Sequence, residues 1–242
     1  MKLYVYCLAE GDAVFDDLDF GILGAPVRAM EVNGFSVLLS QLDVDSVPVT
    51  RQNALAHAAV VRSILGRTTP LPFRFGTVVT DQQLRNYLAA KKPAIETKFG
   101  QVRGCVEMGV KIIWQNSQRE QPDEPESDHD DNRGVGTTFL EHRQRQLLGD
   151  EHDAAKAAEI SAWLHESVAD LIKEEQVTLR PAARLVLSAA HLVERVNIAR
   201  YRQKVAQTCQ KRPELHFLLS GPWPPYSFAN IELEFKSQFG VS

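Results

Sequence analysis

Cysteine is scarce in this chain, with only Cys7, Cys105 and Cys209 among 242 residues. They are odd in number, widely spaced and in no Cys-x-x-Cys pair. That argues against a disulfide framework or a thiolate zinc site and fits reduced thiols in a cytoplasm. No run approaches the roughly 18 continuous apolar residues of a membrane span. The opening MKLYVYCLAEGD has one lysine, no apolar stretch of signal-peptide length and an early acidic turn, so export is not expected. A basic excess is missing as well. The net charge is −4, and EQPDEPESDHDD (Glu120–Asp131) alone holds seven acidic residues with no Lys or Arg, which leaves +3 for the remainder. A balance so close to neutral gives no reason to expect a nucleic-acid partner. There is no Gly-x-x-x-x-Gly-Lys-Ser/Thr loop, no Gly-x-Gly-x-x-Gly after a strand and no Gly-x-Ser-x-Gly elbow. HESVA (His165–Ala169) begins like a zinc-protease helix, but Ala169 stands where a second histidine is required. Neither an enzyme nor a cofactor is expected.

What the chain does hold is a strand-and-helix pattern interrupted once. From Gln115 to Gly136 there is almost no apolar residue, and the charge block reads as a solvated linker. The expected organisation is an N-terminal α+β domain over 1–114, an acidic linker over 115–133 and a C-terminal α+β domain over 134–242. In the first, KLYVYCLA and FSVLLSQL read as strands and GILGAPVRAMEVNG as the loop between them. Thr50 caps a helix to about Leu65, FRFGTVV reads as a strand, and Asp81 caps a second helix that Pro93 weakens. RGCVEMGVKIIW alternates as a strand, and helices over one face of the sheet complete the domain. In the second, helical spacing runs from about Val135 to Glu175, broken near LLGDEHD. RLVLSAAHLV and ELHFLLSG read as strands around a helix begun by Asn197.

Few residues invite chemistry. Asp128, His129, Asp130 and Asp131 stand close enough to suggest a cation site, yet their spacing matches no EF-hand and a flexible loop loses ordering entropy on binding. His57 lies beside an apolar helix face, and His191 and His216 lie in strand-like runs. Each reads as a hydrogen-bonded structural histidine, since none stands next to a Ser or Cys nucleophile. Glu107 and Lys111 share the polar face of their strand, as an acid/base pair or as a surface contact patch.

PLPFRFGTVV is more specific. Prolines at 70 and 72 stiffen the entry, and Arg74 faces opposite to Phe73 and Phe75 if the run is extended. Arg74 then either clamps a partner's carboxylate or pairs with an internal acid such as Glu107 while the phenylalanines fill the core. Gly76 and Thr77 follow as a bulge or close approach. SGPWPPYSF is the second such stretch. It continues an apolar strand, so the stretch with Trp223, Pro224, Pro225, Tyr226 and Phe228 reads as a rigid exit packed against the C-terminal domain rather than a free polyproline ligand. After it, Ile231, Leu233 and Phe235 alternate with Glu232, Glu234 and Lys236 as a candidate edge strand.

With TTPLPFRFGTVV and SGPWPPYSF together, the chain resembles the gas vesicle protein F/L family. LYVYCLAEG, ALAHAAVVRSIL, GCVEMGVKIIW and LVLSAAHLVERV stand in the family's order, and Phe139 is a mild departure where the family more often has Tyr-Leu. The resemblance implies two α+β domains, the C-terminal one a ferredoxin-like variant. It also implies a non-enzymatic accessory or minor structural protein of the gas vesicle, in the cytoplasm. Its expected partners are the hydrophobic shell protein and other accessory proteins, and it would serve assembly by nucleating or chaperoning that shell protein. The alternative is a ligand-binding regulatory module with a ferredoxin-like double domain, in which Arg74 and Glu107 line a pocket.

Overall fold

A computed structural model describes residues 2–11, 15, 18–114, 154–180 and 185–229. The acidic linker, the Asp128–Asp131 cluster, the break near LLGDEHD and the alternating tail from Ile231 lie outside them. By contact, the chain forms two units, one up to Glu107 joined by the chain from Gly221, the other Met108–Ser220. This differs from a division at residue 115. The strand expected to close the first domain, Cys105–Trp114, hydrogen-bonds into the second sheet instead.

In the first unit, β1 (Lys2–Glu10) is the central strand, buried from Leu3 to Ala9. On one side it pairs antiparallel with β3 (Phe35–Leu42), from Lys2 opposite Leu42 to Glu10 opposite Phe35. The stretch read as a loop between these strands holds a third, β2 (Arg28–Val32), which pairs with β3. The cause is local. Asn33 and Gly34 take φ of 55° and 87°, the two positive values of a tight hairpin turn, so Val32 and Phe35 face each other. On its other side β1 pairs with two short strands, β4 (Leu71–Pro72) and β5 (Val78–Val79).

Two helices cover this sheet. Thr50 caps α1 (Arg51–Leu65) by accepting the Asn53 N–H at 3.2 Å. Thr80, one residue before the expected Asp81, caps α2 (Asp81–Val102) in a capping box with Gln83. Pro93 lies inside α2 without ending it. Leu38 and Leu42 pack with α1 residues Val60, Val61 and Ile64, whereas Phe35 stacks on Phe99 of α2 at 5.9 Å. Alternation along β3 puts these two sets on opposite faces, so the helices cover both faces rather than one.

In the second unit, β7 (Ile172–Arg180), β8 (Leu185–Glu194), β6 (Cys105–Trp114) and β9 (His216–Trp223) form a sheet in the order β7-β8-β6-β9. The division between units falls within β6 and again within β9. Helix α3, described over 154–168, buries Ala157, Ile160, Leu164 and Val168. α4 (Ile198–Cys209) buries Tyr201, Val205 and Thr208 at helical spacing. The helix expected to run to Glu175 ends earlier. After a 3-10 turn at Ala169–Leu171, Ile172 starts a strand whose backbone pairs with β8 from Val193 to Val186. Short α5 (Tyr226–Ala229) returns to the first unit.

Candidate functional site

The run PLPFRFGTVV is two short strands around a turn rather than one strand. Phe73 N–H donates to the Tyr6 carbonyl at 2.9 Å, and Val5 N–H to the Thr77 carbonyl at 3.0 Å, so both ends follow β1. Between them Thr77 N–H donates to the Arg74 carbonyl at 3.3 Å, and the Thr77 hydroxyl donates to the same oxygen at 2.7 Å. Gly76, with φ of 87°, occupies the position of a type II turn that demands a positive value. Phe73 and Pro72 are buried, Phe75 is half-buried and Arg74 is exposed. Arg74 therefore points away from its aromatic neighbours, as the sequence suggested, but from a turn.

An aromatic box holds this turn. The Tyr4 hydroxyl accepts the Gly76 N–H at 3.1 Å and lies 2.9 Å from His57 Nδ1. Tyr6, Phe75 and His57 surround Tyr4, with ring centroids 4.9 to 6.4 Å away. His57 is buried, and desolvation lowers its pKa to about 4, so the neutral ring accepts the Tyr4 proton at Nδ1. The same burial pushes the Tyr4 phenol up to about 12. His57 is thus a structural histidine, as expected, and sequence separation hid its partner.

SGPWPPYSF packs rather than standing free, but not on the C-terminal domain as expected: from Gly221 it belongs to the first unit. Pro224, Pro225 and Phe228 are buried, while Trp223 and Tyr226 keep 38% and 41% exposure. The Arg62 guanidinium lies over the Trp223 ring, 4.7 Å from its centroid. Pro224 and Pro225 carbonyls accept from Tyr226, Phe228 and Ala229, which closes α5 against β4 and α2. Glu107 completes this corner. Its carboxylate accepts the Ser227 N–H at 2.8 Å and the Ser227 hydroxyl at 2.9 Å. Burial raises the Glu107 pKa against the pull of these two bonds. Neither an acid/base pair with Lys111 nor an ion pair with Arg74 describes Glu107, whose two carboxylate oxygens both go to Ser227. Lys111 is exposed on β6.

A second polar chain lies in the other unit. His165 Nδ1 meets Glu175 Oε2 at 2.8 Å, and Glu175 Oε1 meets His191 Nε2 at 2.8 Å. His191 Nδ1 meets the Tyr201 hydroxyl at 2.6 Å. These bonds tie α3, β7, β8 and α4 together. Burial lowers the His191 pKa while Glu175 opposes the shift. Tyr201 and His191 are fully buried while His165 at the other end is half exposed, so the network links the interior of this unit to its surface. Its only sequence signal is the polar Glu175 and His191 inside strands. His216 is exposed on β9. An open cleft of about 540 Å³ is lined by Glu10, Glu31, Glu96, Phe35, Phe99 and Arg103, with Arg103 paired to Glu10.

Among the described residues no helix is long and apolar enough to cross a membrane. The family model "Gas vesicle synthesis protein GvpL/GvpF" matches residues 2–230. Gas vesicle protein L of Streptomyces sp. (strain CB03234) is 27% identical over 252 residues, covering 96% of this chain and 94% of that relative. Gas vesicle protein F1 of Halobacterium salinarum is 23% identical over 244 residues, covering 99% and 98%. The crystal structure of GvpF from Anabaena sp. PCC7120 superposes with a TM-score of 0.76 at 22% identity, over 96% of this chain and 97% of that one, a likeness of fold.

Proposed function

Because the chain belongs to the GvpL/GvpF family of gas vesicle synthesis proteins, we propose that it is a non-enzymatic assembly factor that engages the hydrophobic shell protein. A gas-vesicle role follows from the family. The finer reading, nucleating or chaperoning the shell subunit and staying with the vesicle, rests on physical argument. A small apolar subunit aggregates unless its surface is covered before polymerisation.

The observation that carries the reading is the junction of the two family motifs in one unit. The turn 74–77 and the exit 223–229 are each over-determined by hydrogen bonds and buried prolines. Arg74, Trp223 and Tyr226 nevertheless keep exposed surface there. Two motifs that meet where α5 packs on β4, and that expose an arginine and two aromatics between them, have the composition of an interface hot spot. Pro72, Phe73, Phe75, Gly76, Thr77, Glu107, Pro224 and Pro225 act in this reading as its support, and Lys111 has no part in it.

Affinity-tagged full-length chain, expressed with the other proteins of its vesicle cluster, tests this. Co-purification of the shell protein, lost in Arg74→Ala/Trp223→Ala, is the expected result. Equal recovery with both chains would show that the corner is not the contact.

A further inference from the structure

The second sheet ends in two edges of opposite character. β7 is the outer strand on one side, and its sequence IKEEQVTLR carries the exposed Glu174 and Lys173 beside the network residue Glu175. Charges of this kind protect an edge from unwanted pairing. β9 ends the other side, and HFLLSGPW holds no Asp, Glu, Lys or Arg. Among the described residues no strand pairs with its outer edge.

Within the second unit this strand is short and carries at least one apolar side chain on each face. Phe217 packs on Trp163 of α3, with ring centroids 6.1 Å apart. Leu218 and Leu219 point to opposite faces and remain 56% and 39% exposed. An edge that no described strand covers, with leucines above and below and no charge, is a template for one more strand.

We propose that the outer edge of β9, His216–Ser220, is a docking site for an extended, uncharged apolar peptide segment of a partner, which joins the sheet as a fifth strand. Main-chain hydrogen bonds supply the affinity in such strand addition, and Leu218 and Leu219 select apolar side chains on either face. The absence of charge on the strand fits a segment that carries none, because the exposed Leu218 and Leu219 gain cover from apolar side chains laid beside them and nothing from a charged one. Size separates this occupant from a second copy of the chain. Five residues of strand span about 17 Å. A strip that narrow does not bury the roughly 1,200 Å² of a stable interface between folded proteins. An extended segment, bound mostly through its backbone, does not need that area. This inference goes beyond the vesicle reading and stands on the second unit alone.

Fluorescence anisotropy of the full-length chain with a labelled peptide apolar on both faces, acetyl-(Val-Ala)4-amide, tests it. Two controls are needed: the same peptide methylated on every backbone nitrogen, and the chain with Leu218→Lys/Leu219→Lys. Both leucines are exposed, so the variant keeps the wild-type circular dichroism and denaturation midpoint; Leu218→Lys alone replaces it if it does not. Binding of the unmethylated peptide to wild type at least tenfold tighter than either control is the expected result. No binding, or equal binding in all three cases, overturns the proposal. So does a sedimentation-detected dimer that the lysine variant abolishes, which would assign the edge to a second copy. Loss of shell-protein capture through the Arg74 and Trp223 corner leaves this outcome unchanged, so the two readings fail separately.

Discussion

Glu107 grips Ser227 twice, through the backbone N–H at 2.8 Å and the hydroxyl at 2.9 Å, across 120 residues of chain. A carboxylate from the start of β6 thereby fixes the first turn of α5 and, with it, the GPWPPYSF exit. The two segments of highest sequence character are rigid for linked reasons. One turn hangs on Tyr4, and one exit hangs on Glu107.

Glu107→Ala leaves the Ser227 N–H and hydroxyl without their acceptor in a half-buried corner. The expected cost is about 1–3 kcal/mol, read as a lower urea midpoint. Glu107→Gln keeps one carbonyl oxygen for the N–H and loses less. Equal midpoints for wild type and Glu107→Ala would mean that the grip does not hold the exit.

Gly76→Ala tests the turn. Its φ of 87° suits glycine, and a Cβ there meets no atom within 4 Å, so the cost is conformational alone. It is expected at about 1–2 kcal/mol. Gly76→Asn, which tolerates the left-handed region, is expected to lose less than alanine.

The elements that the sequence declared were those with local causes. Thr50 stands before an apolar face at helical spacing, and α1 begins there. Leu185–Glu194 is apolar and β-branched, and it is a strand. What stayed hidden was set by distant pairing. Nothing in GCVEMGVKIIW says that it joins β8 and β9, because an alternating strand does not name its neighbour. IKEEQV looks helical until β8 supplies its hydrogen bonds and His191 takes up Glu175. PLPFRFGT reads as extended because the two phenylalanines mask what Gly76 permits. At the candidate site the motif residues were visible, but Ser227 as the target of Glu107 and Tyr4 as the target of His57 were not. Those partners lie 120 and 53 residues away.

Acid exposes the Tyr4–His57 bond. In the folded chain His57 titrates at about 4, against 6.5 for the free side chain. As pH falls below 6.5 the unfolded chain takes up this proton first, so stability declines until about pH 4. The contribution is flat above 6.5, and the loss over the window is about 3 kcal/mol. Urea midpoints of wild type between near pH 7 and near pH 4 are expected to fall more steeply than those of His57→Gln. Parallel curves would contradict the burial of a neutral ring.

Tyr201→Phe removes the hydroxyl that His191 Nδ1 meets at 2.6 Å in a fully buried setting. A loss of about 1–3 kcal/mol is expected by thermal or chemical denaturation, because the nitrogen is left without that partner. Capture of the shell protein at a temperature where the variant is folded is expected to stay at the wild-type level, since the network lies in the other unit from the motif corner.

The central claim is that this protein is needed to build the vesicle and acts through the Arg74, Trp223 and Tyr226 corner. Its most direct test is deletion of the gene in its vesicle-forming host, with vesicles counted by electron microscopy. The account predicts no vesicles in the deletion strain, restored numbers with the wild-type chain, and none with a folded Arg74→Ala/Trp223→Ala/Tyr226→Ala chain. A deletion strain with normal vesicles, or full rescue by the triple variant, would contradict it.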